Sequence, residues 1–473
     1  MSAVATAADV AGVAAVLGAL AWAGRRPARD AAAYVVAGRA VGLAPLVATL
    51  VMTEFNTSTL LAFAAAGYRA GPMALALPLV FLVGLAFYTV TVARAWKRFD
   101  RLSVAELFAA RYSPALGRAA SALLLLAMAG FSATYVKSLT LLVQPFVPAL
   151  PPWLLSALLA AACLGAVVAG GMVAVVRGDV VGFVLTIVLL PAMLAIGWAR
   201  HGWDALGTIF PADQLVVDPV GQWTHPALPF RFVSTLMVLT CFTYIAAPWY
   251  GQKIFAARDE RTAFRAVALS AVLVFVLYGA AVLGAAFLRV EEPALADAQQ
   301  AVPRFVQAWL PPGLRGVGFG MLVAAALTTL SGVWSAMAAM VAADFGWREG
   351  LALGTQRRLL AGFALLSWLG ANVLVDDILN RLILANIPVL ALAFALLAGF
   401  HWPRATTAGA WASVVAGIAW GVGCYVVVGE AGGYTWPWAM GGVPLVFGVG
   451  VVGSLMGRTG GRADRRTGPA TGG

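Results

Sequence analysis

Charge is what this sequence has least of. Lys, Arg, Asp and Glu together make up 11% of its 473 residues, against about 25% in a soluble domain. Cysteine and histidine number three each. Cys163, Cys241 and Cys424 fall in separate apolar segments without CxxC spacing, so they read as small core residues rather than metal ligands. His201, His225 and His401 are scattered through loops and form no ligand cluster by spacing. No GxxxxGK[ST] loop is present to cradle a nucleotide phosphate, which argues against an ATP-driven pump. Long polar stretches are lacking too. The longest, near 199–229 and 289–314, are loop-sized, so no segment outside the apolar runs holds a folded catalytic or signalling domain.

What is there is apolar. Hydrophobic residues reach 62%, against about 45–50% (glycine included) in soluble proteins, and this makes the chain an all-α polytopic membrane protein. Hydropathy gives about thirteen candidate spans, near 8–24, 42–68, 71–93, 119–143, 153–176, 178–198, 230–250, 266–288, 315–343, 358–379, 381–400, 408–428 and 437–456. The first follows an acidic rather than a basic start and shows no clear cleavage site, so it is kept as a span and not a removed signal. With thirteen spans and the N-terminus outside, most basic residues fall inside. They include Arg25, Arg26, Arg29 and Arg39, then Arg94, Lys97, Arg98, Arg101, Arg111 and Arg118, then Lys253, Arg258, Arg261 and Arg265. The outer side receives only scattered ones such as Arg69, Arg200, Arg289 and Arg381. That bias predicts a multi-pass protein of the cell inner (plasma) membrane with a cytoplasmic C-terminus. The net charge of +11 is then a topology signal with anionic-lipid contacts, not a nucleic-acid patch.

Polar residues inside the spans carry the functional signal. Thr53-Glu54-Phe55-Asn56-Thr57-Ser58-Thr59 interrupts the apolar run 42–68, and a carboxylate at that depth is costly unless it faces protein, water or an ion. The cluster predicts a binding site in a broken helix. Ala325 to Ser331 places Thr328, Thr329 and Ser331 in a span of small residues. This is either a close packing interface with back-bonded hydroxyls or a source of oxygen ligands for Na⁺. Asp179 lies at the inner end of a span, paired with Arg177 and water or acting in ion passage. Lys137 either snorkels to the outer headgroups or faces inward toward a substrate carboxylate. Pro248, four residues after Tyr244, interrupts the seventh span at a place equivalent to the second, as an inverted repeat of two five-helix halves requires.

Several stretches in order resemble the sodium/solute symporter family, which contains sodium–proline, sodium–glucose and sodium–sialic acid carriers. They are Ala37–Gly42, the polar run with Ala66–Gly71, Arg111-Tyr112, Gly170–Asp179, Gln252–Ala266 and Ala325–Ser331, spread over roughly 34–400. The resemblance implies a LeuT-type five-plus-five inverted repeat. It also implies Na⁺ at the backbone oxygens of Met52, Phe55 and Ala325 and the hydroxyls of Thr328 and Thr329. Asp179 would stand near the ion's inner exit, and Tyr244 near substrate. Thr328 replaces the family's usual Ser and keeps the hydroxyl. Glu54 stands where the family often has Asn or Asp, and a Glu could carry a proton.

The resulting expectation is a Na⁺-coupled symporter of a small polar organic solute, with no other cofactor and no enzymatic chemistry. Na⁺ sits at Met52, Phe55, Ala325, Thr328 and Thr329, Asp179 and Glu54 serve ion exit or coupling, and Asn56, Thr57, Lys137 and Tyr244 serve substrate. Lys137 makes an amino acid or monocarboxylate the favoured solute. The alternatives are a proton-coupled carrier using Glu54 and a transporter-like sensor. The expected layout is an N-terminal helix (1–33), a first repeat (34–198, broken helix 42–68), an outer loop (199–229) and a second repeat (230–400). Two C-terminal helices (401–456) and a disordered cytoplasmic tail (457–473) follow. The oligomeric state is not written in the sequence.

Overall fold

The computed structural model describes residues 3–24, 37–101, 103–144, 147–345 and 353–464, and apart from short 3₁₀ turns its elements are α-helices. In order they are α1 (Ala3–Gly24), α2 (Leu43–Glu54), α3 (Thr57–Ala70), α4 (Ala76–Thr91), α5 (Ala93–Phe99), α6 (Glu106–Arg111), α7 (Pro114–Val143) and α8 (Pro152–His201). After α9 (Leu206–Ile209) come α10 (Phe230–Tyr244), α11 (Pro248–Ala256), α12 (Glu260–Glu291), α13 (Ala301–Trp309) and α14 (Leu314–Asp344). The chain closes with α15 (Leu353–Val373), α16 (Ile378–Leu384), α17 (Ile387–Ala391), α18 (Ala393–His401), α19 (Thr407–Val428) and α20 (Thr435–Asp464).

These helices overturn the expected thirteen spans and the LeuT-type five-plus-five repeat built on them. Among the described residues seven helices are long and apolar enough to cross a membrane, or up to nine if each of two bent pairs counts as one span. The fold is therefore an all-α polytopic membrane fold with seven to nine long apolar helices. The reason is that a hydropathy window sees composition and not helix ends. Segment 42–68 is two helices, and the first, α2, has 12 residues. At 1.5 Å per residue that is about 18 Å, short of a hydrocarbon core of about 30 Å. Segments 153–176 and 178–198 run the other way, fused within the single helix α8. The tail expected to be disordered from 457 begins as helix, since α20 runs to Asp464, and 465–473 lie outside the described residues. So do residues 25–36, with Arg25, Arg26 and Arg29.

Local chemistry explains the breaks between α2 and α3 and between α10 and α11. α2 ends at Phe55, and Asn56 then turns extended (φ −95°, ψ 155°) and caps α3 by accepting a 2.8 Å bond from the Thr59 N–H. Asn is among the best N-cap residues because its short side chain reaches these orphan donors. At the second break Ala247 is extended (ψ 111°), as a residue before proline must be, and Pro248 opens α11 at a 51° bend from α10. The Ile245 carbonyl in this break accepts a 2.9 Å bond from Trp96 Nε1.

Burial sorts the helices into centre and rim. Every residue from Leu46 to Glu54 is buried. Of the most apolar 18-residue stretch of α14, 83% is buried, against 28% for α19, whose Val415, Val422, Val426 and Val427 are exposed. Exposed apolar side chains at that density suit a lipid-facing surface. The broken helix is held by α12 along both halves, and by α8 and α14 along α2. The approach of α3 to α12 needs glycine: a Cβ on Gly67 would stand 2.3 Å from the Val282 carbonyl oxygen. Just after Ser103 the chain forms the short α6, with the Glu106 carboxylate accepting from the Ser103 N–H at 3.1 Å. The amphipathic segment at 301–310 forms α13.

Candidate functional site

The break between α2 and α3 opens onto a cavity of about 80 Å³. Thr53, Glu54, Asn56 and Thr59 face it from the broken helix, and Thr240, Thr243 and Tyr244 from α10. Aromatic rings close it: Phe81 from α4, Phe131 and Tyr135 from α7, and Trp249 from α11. Phe81 meets Tyr244 edge-on at 5.8 Å, and Phe131 meets Trp249 at 4.9 Å. Among the described residues Glu54 is the only charged one in this lining.

Glu54 is bonded at two levels. Its side chain is 1% exposed, and Oε2 accepts a 2.5 Å bond from the Tyr244 hydroxyl. Oε1 has no hydrogen-bond partner among the described residues. Its backbone carbonyl accepts from the Tyr278 hydroxyl of α12 at 2.5 Å and from Asn56 Nδ2 at 3.0 Å. This satisfies one of the carbonyls that a helix end leaves without intrahelical partners. Asn56 therefore spends both side-chain groups on the break itself while still facing the cavity.

Beside the break, the expected ion ligands gather. Thr329 of α14 donates to the Met52 carbonyl at 3.2 Å and to the Ala325 carbonyl at 2.8 Å, and Thr328 donates to the same Ala325 carbonyl at 3.3 Å. Four of the five expected residues are thus in one bonded group. Phe55 follows one turn beyond Met52, with its ring stacked on Tyr278 at 5.0 Å. The other residues named from the sequence spread more widely. Tyr244 lines the cavity. Thr57 does not, and shares a 2.8 Å bond with Ser138 of α7 instead. Lys137 is half-buried beside Ser138, is absent from the cavity wall, and makes no hydrogen bond or ion pair among the described residues.

Asp179 has a partner the sequence did not reveal. Lys253 Nζ lies 2.7 Å from its Oδ2 and also donates to the Thr49 carbonyl at 3.0 Å. The Thr49 hydroxyl donates to the same carboxylate. Both charged side chains are buried, at 0% and 2% exposure. Reasoning from sequence placed Lys253 with the basic inner loop and offered Arg177 as the partner. The available signal was its setting, Trp249-Tyr250-Gly251-Gln252-Lys253-Ile254-Phe255, in which Gln252 is the one other strongly polar residue. Tyr278, Tyr135 and Thr49 were also missed, each lying far in sequence from what it serves.

A broken helix at the centre of a membrane bundle, with carbonyls, hydroxyls and one carboxylate beside a small cavity, is the arrangement of a membrane carrier. The chain belongs to the sodium:solute symporter family, whose model matches residues 34–417. It is accordingly a multi-pass, Na⁺-coupled secondary transporter rather than an enzyme. Its fold is similar to that of a Na⁺-coupled sialic acid symporter in a substrate-bound outward-open state. That likeness has a TM-score of 0.77 and 18% identity, and covers 96% of this chain and 98% of that one. It is also similar, more distantly, to a manganese transporter of Eremococcus coleocola, with a TM-score of 0.55, 12% identity and coverage of 88% and 94%. At such identities the likeness speaks for the fold alone. No curated protein matches the chain significantly.

Proposed function

We propose that this transporter takes up a small polar organic solute by alternating access, with Na⁺ at the backbone oxygens of Met52, Phe55 and Ala325 and the hydroxyls of Thr328 and Thr329. The solute occupies the cavity between Glu54 and Tyr244. The observation that carries this reading is the Thr329 hydroxyl, which already spans the carbonyls of Met52 and Ala325. An ion arriving there takes up these same oxygens when the hydroxyl protons turn away, and so joins α2 to α14. Asp179 lies one turn from Met52 through Thr49, on the way an ion leaves.

The solute class read from the sequence was an amino acid or a monocarboxylate, and it rested on Lys137. With Lys137 outside the cavity wall and a carboxylate inside it, the amino acid is the better supported of the two. An outward N-terminus and cytoplasmic C-terminus rest on the bias of basic residues among the loops of the sequence.

The test is Na⁺-driven uptake of labelled amino acids into proteoliposomes. Thr328→Ala with Thr329→Ala is expected to abolish the Na⁺ dependence. Uptake with unchanged Na⁺ dependence in that double variant overturns the ion site. Uptake driven by a pH gradient without Na⁺, and lost in Glu54→Gln, would give proton coupling instead. Binding without counterflow would make the protein a sensor.

A further inference from the structure

Glu54 presents an unusual electrostatic situation. Among the described residues it is a buried carboxyl whose Oε1 has no partner, on the wall of a cavity lined by no other charged residue. The buried cation Lys253 is committed to Asp179 and the Thr49 carbonyl. A carboxylate ionised there without a counter-charge is costly and takes a proton unless an occupant brings a cation, so ionised Glu54 favours such an occupant. The rest of the wall fits a nitrogen cation. Phe81, Phe131, Tyr135, Tyr244 and Trp249 surround the space, and aromatic faces attract ammonium groups within about 6 Å of the ring centre. A second carboxylate entering this space would meet repulsion from Glu54 and no cationic side chain in the wall.

We propose that the solute is a small organic amine, recognised by its ammonium nitrogen through Glu54 Oε1 and the aromatic wall. Tyr244 holds the other carboxylate oxygen and so aims Oε1 at the nitrogen. Amino acids qualify through their ammonium group, and amino alcohols qualify without any carboxylate. Monocarboxylates and neutral polyols do not. This rests on the reading of the cavity as the solute site given above, and it adds what the site selects.

The experiment uses two matched pairs on the purified full chain: L-alanine against L-lactate, and ethanolamine against ethylene glycol. Each pair differs in an ammonium group against a hydroxyl. Binding is read by thermal shift and by competition, with and without Na⁺. The amine of at least one pair is expected to bind about 10- to 100-fold more tightly than its hydroxyl partner, the range for a charge-assisted bond. Glu54→Gln should remove that difference, and Glu54→Asp, which keeps the charge, should restore part of it. In both variants the shift caused by Na⁺ alone should persist. Lactate or ethylene glycol binding as tightly as its partner overturns the proposal, as does amine preference surviving in Glu54→Gln. Loss of the Na⁺ shift in Glu54→Gln overturns it in favour of an ion at Glu54. No response to any of the four probes also counts against it. Loss of the Na⁺ shift in Thr328→Ala with Thr329→Ala, beside an intact amine preference, would uphold the ion site separately.

Discussion

Two carboxylates are buried along the same broken helix, and they live in opposite electrostatic worlds. Asp179 is met by Lys253 at 2.7 Å and by the Thr49 hydroxyl, so helices α8, α2 and α11 are joined around a neutral pair. Glu54 is met by a phenol alone and faces a cavity. Neutralised charge inside a membrane protein fixes geometry. On the proposed reading, a carboxyl with no fixed counter-charge in the same setting is where the solute's cation is received. The contrast also separates the two kinds of residue a carrier needs, those that keep its helices in register and those that respond to cargo.

The comparison is broken hardest at Lys253. Lys253→Met leaves Asp179 buried without its counter-charge, and the expected destabilisation is about 3–5 kcal/mol in a detergent unfolding assay. Adding Asp179→Asn should recover most of it. A double variant no more stable than Lys253→Met would show that the pair does not act as a unit. Glu54 should respond far less. A buried carboxyl without a counter-charge takes a proton, so Glu54→Gln replaces one neutral group by another that still offers Tyr244 an acceptor, and the ligand-free protein should change by less than about 1 kcal/mol. A loss of stability comparable to that of Lys253→Met would mean Glu54 already has a counter-ion. The smallest effect belongs to an exposed pair. Arg381 grips Asp376 at 2.8 Å with two nitrogens and holds its carboxyl down to about 2. A depressed carboxyl stabilises above its unfolded value of about 4, and that contribution is lost as pH falls through 2. Asp376→Asn should therefore flatten the melting temperature slightly between pH 4 and pH 2, and an unchanged profile would dismiss the pair as a contributor.

How much of this was legible in the sequence depended on whether the cause was local. The break at Glu54–Asn56 was legible because Asn56 is an N-cap followed by three hydroxyl residues, and the bend at Pro248 because proline imposes it. The gathering of Thr328, Thr329 and Ala325 with Met52 came from resemblance, since 277 positions separate Met52 from Thr329. The number of long helices was not legible. Apolar composition alone does not show that 153–176 and 178–198 fuse while 42–68 divides. Lys253 was misplaced for a related reason. A lysine among loop arginines reads as solvent-facing until a distant aspartate is seen to meet it.

One residue of the break carries a mechanical consequence. The side chain of Glu54 is tethered to α10 by Tyr244, while its carbonyl is tethered to α12 by Tyr278. A pull on the carboxylate is thus felt by two helices at a joint where the helical ladder is interrupted. On the proposed reading the hinge and the cargo hook are one residue, so loading the carrier and loosening it are the same molecular event.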